Sequence, residues 1–134
     1  MLSLKAALSS PPIPVVQQLL IVPVIDNTAT ISSIWKENKE APWLTPSRMT
    51  WYRNMYLPNK ADQLNYEASP NLAERDVLAK SPKTWIAVSE LDLLAPEGLA
   101  FGQQLSEAGV EVEMKVYKGS THSILALSGR LLSI

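Results

Sequence analysis

The chain has no cysteine, a single histidine and a single phenylalanine. Without cysteine there are no disulfides, no thiolate nucleophile and no zinc–cysteine site. That absence is compatible with a reducing compartment, and the cytoplasm is the expected location. One histidine, His122, leaves no histidine-rich metal site within the chain, and neither metal nor cofactor is expected. Charge is also sparse, at 19% of residues with a formal net charge of -1. The twelve Lys and Arg form no basic stripe, so the electrostatic footprint of a nucleic-acid binder is lacking, as is a polybasic membrane patch. The longest apolar run, Leu19-Leu20-Ile21-Val22-Pro23-Val24-Ile25, is far shorter than the roughly 20 residues a membrane span needs. Lys5 splits the apolar start of the chain and Gln17-Gln18 follow soon after, so a signal peptide is not expected.

The remaining residues have a globular balance: 134 of them, 46% apolar, enough for one domain of ordinary size. Residues 2–9 are good helix formers with Leu4, Ala7 and Leu8 on one face, stopped by Ser9-Ser10-Pro11-Pro12. No capping residue precedes Leu2, so this helix is expected to begin before Met1. Val15–Ile25 is apolar and β-branched apart from the two glutamines. It reads as a strand buried on both faces, as in a parallel sheet, and Asp26-Asn27-Thr28 ends it.

Residues 26–82 hold no strong strand and read as an irregular insertion punctuated by proline. Within it, Thr45-Pro46 opens a helix carrying Met49, Tyr52 and Tyr56, ended by Leu57-Pro58-Asn59. From Lys83 the pattern sharpens. Trp85–Val88 is a short apolar strand, and Pro96 starts a helix with the stripe Leu94, Gly98, Phe101, Leu105 and Ala108. Gly109 is its expected stop. Val110, Val112, Met114 and Val116 alternate with Glu111, Glu113, Lys115 and Tyr117, which predicts a strand with one buried and one wet face. Ile124–Ile134 is the candidate closing helix. Strand–helix–strand order favours right-handed crossovers and a parallel sheet. The fold class is therefore α/β, with about three parallel strands and flanking helices. Val15–Ile25 would be a long apolar edge unless something pairs with it.

In open parallel sheets, ligands gather outside the carboxyl ends of the strands. Asp92 and His122 each follow a predicted strand at that end. If those strands are neighbours, the carboxylate fixes one imidazole tautomer and the other ring nitrogen can take a proton from a nucleophile. Plainer roles fit the same positions: a surface or packing histidine, and a turn or capping aspartate. Glu90 and Glu97 are rival carboxylates, the latter in a first helical turn where it can simply favour the helix dipole. Trp43, Trp51, Tyr52 and Tyr56 suit either an acyl-binding pocket over the rim or the core of the insertion. Ser120 and Ser123 flank His122 on the wrong turn to be its nucleophile, and the chain contains no Gly-x-Ser-x-Gly elbow.

Several segments resemble the C-terminal half of the hormone-sensitive-lipase-like α/β-hydrolases, a family of serine carboxylesterases and lipases. The most specific is Trp85-Ile86-Ala87-Val88-Ser89-Glu90-Leu91-Asp92-Leu93-Leu94-Ala95-Pro96-Glu97-Gly98. There the family has an apolar strand and then Ala-Glu-aromatic-Asp-Pro-Leu-x-Asp-Glu-Gly, whose first Asp belongs to the triad. Leu105-x-x-Ala108-Gly109-Val110, Tyr117-x-Gly119-x-x-His122, Leu44-Thr45-Pro46 through Tyr56-Leu57-Pro58, and Ala68-Ser69-Pro70 extend the likeness from about Met1 to about Leu127. Leu93 stands for the usual Pro, Pro96 for the usual Asp, and Ser123-Ile124 for the usual Gly-Phe after the histidine.

The resemblance implies one partial α/β-hydrolase domain over 1–134, with 26–82 contributing to a cap or pocket. It implies catalytic Asp92 and His122, and substrate contacts from Trp43, Trp51, Tyr52, Tyr56 and Ile124. The substrate would be a small-molecule ester. The family's His-Gly-Gly-Gly and Gly-Asp-Ser-Ala-Gly segments would precede Met1, so serine and oxyanion hole are expected in missing N-terminal sequence and the chain alone is expected to be inactive. The N-terminal half of the hydrolase, or another chain, is the expected cover for the strand at 15–25. The alternative is a catalytically inactive, truncated chain acting as a structural or partner-binding unit.

Overall fold

The computed structural model describes residues 2–125. Three parallel strands form one sheet in sequence order: β1 (Gln17–Ile21), β2 (Lys83–Leu91) and β3 (Val112–Thr121). Helix α1 (Leu2–Leu8) precedes β1. The insertion holds α2 (Pro46–Tyr56), the short α3 (Lys60–Gln63) and α4 (Arg75–Leu78), and 3-10 turns at Ile34–Lys36 and Pro70–Leu72. Helix α5 (Ala95–Glu107) crosses from β2 to β3. Three parallel strands with flanking helices are the architecture the sequence predicts.

The central strand is the apolar spine. Ile86, Ala87 and Val88 on β2 are all buried. Helix α5 lies on β2 and β3 with Phe101 and Leu105 inward, beside Ile25 and Leu78. Two glycines let it approach closely. A Cβ at Gly98 would lie 2.8 Å from Val88 Cγ1, and one at Gly102 would collide with Met114 Sδ. Gly109 ends the helix at φ +90, in the left-handed region that glycine enters without penalty.

The insertion has its own apolar centre, where Trp35, Ala29, Leu44 and Met49 meet Leu93 and Leu94 from the β2–α5 connection. Thr45 caps α2, its Oγ1 accepting from the Arg48 amide at 3.3 Å, and Pro46 occupies the first turn. The buried face of α2 is Met49 and Arg53, while Tyr52 and Tyr56 stay exposed.

Two strand expectations need correction. Val15–Ile25 is not one strand buried on both faces: pairing covers only Gln17–Ile21, and Leu19 remains 62% exposed. Val22 turns the chain at φ +42 and Pro23 has no amide to donate. Only β2 pairs with β1 among the described residues, so its apolar side chains lack a second neighbour. Likewise β3 runs two residues later than Val110 and four residues beyond Tyr117, and its expected dry face is only partly dry. Val110 is buried, but Met114 and Val116 are exposed on this second edge strand. The closing helix expected over Ile124–Ile134 lies, beyond Leu125, outside the described residues. Ile124 itself sits in a turn, its amide donating to the Thr121 carbonyl at 3.1 Å.

Candidate active site

Asp92 leaves the carboxyl end of β2 and His122 leaves the carboxyl end of its neighbour β3. Their side chains meet with Nδ1 of His122 3.0 Å from Oδ2 of Asp92. The Asp92 side chain is fully buried, whereas that of His122 is 32% exposed. A carboxylate can only accept, so the contact fixes the proton of a neutral imidazole on Nδ1. Nε2 then carries the free lone pair.

The local chain explains why Asp92 holds still. Its Oδ1 accepts from the Leu94 amide at 3.2 Å, a turn that leads into α5. Its carbonyl accepts from the Ala95 amide at 3.2 Å and from Asn38 Nδ2 at 2.6 Å. Asn38 also donates to the Glu90 carbonyl at 3.3 Å, tying the end of β2 to the insertion. Sequence reasoning missed Asn38, and an isolated asparagine in a loop carries no signal of such a tie. Asp92 thus does both things foreseen for it: it shapes a turn and it meets the histidine.

The histidine is brought to Asp92 by a break in register. Ser89 pairs with Tyr117, but Leu91 pairs with Thr121, so β3 carries two residues more than β2 across this step. The rival Glu90 faces this irregularity, bonding Lys118 Nζ and the Gly119 amide, each at 2.8 Å. Those two donors, Lys118 first, hold its carboxyl below the usual range.

Glu97, the other rival, is buried rather than a solvated first-turn residue. Oε1 accepts from the amides of Ile25 and Asp26 at 2.7 and 3.2 Å, and Oε2 from the Trp35 indole at 2.8 Å. Burial pushes this carboxyl up to about 7, against the opposing pull of those three donors. A signal for its burial was present: Glu97 follows Leu94 by three residues and precedes Phe101 by four, on the apolar stripe itself.

A cleft of about 910 Å³ opens beside His122, lined by the imidazole and by Trp43, Tyr52, Tyr56, Met49 and Leu94 among others. Trp51 and Ile124 do not line it. Trp51 lies about 100° around α2 from Tyr52 and turns to solvent, its ring edge-to-face with that tyrosine at 5.1 Å. Ile124 is held in the turn beyond the histidine. Trp43 stands at φ +71, with the Leu44 amide donating back to the Pro42 carbonyl at 2.9 Å. This three-residue turn is a strained kind, and it presents the indole at the cleft. Arg48 braces it through a 2.8 Å bond to the Trp43 carbonyl. Among the described residues, no three His, Cys, Asp or Glu side chains gather in a way that could hold a metal ion.

The chain matches a family model described as alpha/beta hydrolase fold over residues 1–126. It is 37% identical over 127 residues to an AB hydrolase superfamily protein of Schizosaccharomyces pombe, covering 90% of this chain and 37% of that protein. It is 39% identical over 89 residues to an esterase of Fusarium pseudograminearum, covering 65% of this chain and 27% of the esterase. The crystal structure of carboxyl esterase 2 from Tuber melanosporum superposes with a TM-score of 0.84 at 30% identity, over 96% of this chain and 43% of that one. The chain thus spans less than half the length of each of these proteins.

Proposed function

The chain belongs to the α/β-hydrolase fold family, and from that premise we propose that it carries the acid–base half of a serine carboxylesterase site. Asp92 orients His122. A serine hydroxyl from a longer form of the protein attacks the ester carbonyl while Nε2 of His122 takes the hydroxyl proton. The imidazolium then gives that proton to the leaving alkoxide as the carbon–oxygen bond breaks. In the second half-reaction His122 deprotonates water, which attacks the acyl-enzyme, and the proton returns to the serine oxygen. The observation that carries this reading is the 3.0 Å contact between Asp92 and His122 at the rim of an aromatic-lined cleft. Trp43, Tyr52 and Tyr56 would hold the acyl or alcohol portion.

In this reading the 134-residue chain by itself has no nucleophile or oxyanion donors for the reaction and turns over no p-nitrophenyl acyl ester above background. A longer form that includes the serine turns the same ester over, and His122→Ala abolishes that turnover. Ester turnover by the 134-residue chain that survives His122→Ala would overturn the reading.

Exposed apolar side chains on β1 and just before it favour a second, compatible proposal: another polypeptide segment covers residues 15–25. Val16 and Leu19 are 89% and 62% exposed, and an apolar edge strand is normally covered. The N-terminal part of a longer hydrolase fills this role, or a separate chain does if the 134 residues serve as a partner-binding unit. Sedimentation showing a strict monomer would count against a separate chain.

A further inference from the structure

We propose that Glu90 is a positioning residue for His122: its carboxylate, through the Gly119 amide, pins the two-residue insertion in β3 that brings His122 opposite Asp92. The inference rests on His122 being the base of the proposed reaction and adds a residue that acts through it.

The register makes the argument. From Thr84↔Val112 to Ser89↔Tyr117 the two strands run in step. Continued without interruption, that step would place Ser120 opposite Asp92. The observed pairing resumes at Leu91↔Thr121, displaced by two residues, and the next residue after β3 is His122. Bulges re-aim side chains in this way and are common beside active sites. An arch that interrupts ladder hydrogen bonds needs other partners for its backbone, and Glu90 supplies one of them, to the Gly119 amide. Oε2 accepts from the Gly119 amide at the crest, 2.8 Å away, and Oε1 accepts from Lys118 Nζ at 2.8 Å. Gly119 sits at φ +65, a conformation glycine adopts freely. Ser120 Oγ closes the arch on the Tyr117 carbonyl at 2.7 Å. Across the strand, Asn38 fixes the Glu90 and Asp92 carbonyls. Both ends of the Asp92–His122 contact are therefore tied to the same short stretch of β2.

The single histidine gives this inference a direct readout. In the chain labelled with nitrogen-15 at histidine, the ring nitrogen shifts report the tautomer of His122. The wild type should favour the Nδ1–H form by about tenfold or more, the scale of one charge-assisted hydrogen bond. Glu90→Ala should bring the two tautomers to near parity and remove the downfield Nδ1 proton. The indole N–H resonances of the four tryptophans should stay in place and show that the fold persists. Glu90→Gln keeps an oxygen for the Gly119 amide and should restore most of the preference. Lys118→Ala, which spares that amide contact, should leave it intact. In the longer, serine-containing form, Glu90→Ala should lower kcat by about 10²-fold with KM within twofold, as expected for a misplaced base.

A Glu90→Ala spectrum with the wild-type tautomer ratio would overturn the inference, as would a Glu90→Gln spectrum equal to that of Glu90→Ala. Should Glu90→Ala lose its fold, Glu90→Gln and Lys118→Ala decide the matter: both must keep the tautomer preference. A wild type with no preference would contradict the Asp92–His122 pair itself, and thus the proposed function, before Glu90 is touched.

Discussion

The indole N–H of Trp35 donates to Oε2 of Glu97 at 2.8 Å, joining the insertion to helix α5 in the interior. With the Ile25 and Asp26 amides on the other oxygen, three donors converge on one buried carboxyl group. Glu97→Gln would turn an amide N–H toward one of those donors. At about pH 4.5, where the folded wild type still holds this proton, the expected cost is about 1–3 kcal/mol, read as a lower midpoint in urea with an unchanged slope.

The same group gives stability a pH dependence of defined sign. Burial raises Glu97 from 4.5 to about 7 in the folded chain, so the folded state binds this proton more tightly than the unfolded state. Its contribution is therefore fully present below about 4.5, falls as pH rises to about 7, and is flat above. The change is on the order of 3 kcal/mol. Glu97→Gln cannot titrate, so the stability gap between wild type and variant should narrow across that window. A gap that widens with pH would contradict the assignment.

The two close-packed glycines of α5 should differ in tolerance. At Gly98 a methyl group meets the buried, β-branched Val88, which has little room to move. Gly98→Ala is expected to cost about 1–3 kcal/mol. At Gly102 the obstacle is mainly Met114, a flexible side chain that is 44% exposed and can swing away. Gly102→Ala should stay within about 1 kcal/mol of wild type, because better helix propensity offsets the displaced sulfur. Thermal unfolding of the pair of variants tests this.

Trp43 offers a test of backbone strain. Its φ of +71 suits glycine far better than a residue with a Cβ. Trp43→Gly should be more stable than Trp43→Ala by roughly 1–2 kcal/mol, the reverse of the usual order in regular structure. Equal stabilities would show that the turn relaxes once the indole is gone.

Much of the fold was legible in the sequence because its determinants are local. The stripe from Leu94 to Leu105 and the stop at Gly109 fix α5 within one stretch of chain. The apolar segment around Ile86 reads as a strand, and Asp92 and His122 could be placed at strand ends from the same patterns; that this strand is the central one came from the pairing. The extent and burial of β1 were not legible. An apolar run reports what it would gain from burial, whereas exposure depends on which neighbours are present, and Leu19 has too few. The ties that steady the site were also hidden. Asn38 reaches Asp92 across 54 residues and Trp35 reaches Glu97 across 62, and hydrogen bonds at such separations leave no periodicity to read. Trp51 shows the opposite failure. Its aromatic character fitted a pocket, but the turn of α2 aims its neighbour Tyr52 at the cleft instead.

Whether Asp92 orients His122 for proton transfer in ester hydrolysis is decided by Asp92→Asn in the longer, serine-containing form of the protein, with turnover of a p-nitrophenyl acyl ester as the readout. An asparagine of the same shape can turn its amide N–H toward Nδ1 and favour the wrong tautomer, so kcat should fall by on the order of 10⁴-fold with little change in KM. A variant that keeps kcat within about twofold of wild type would contradict the account.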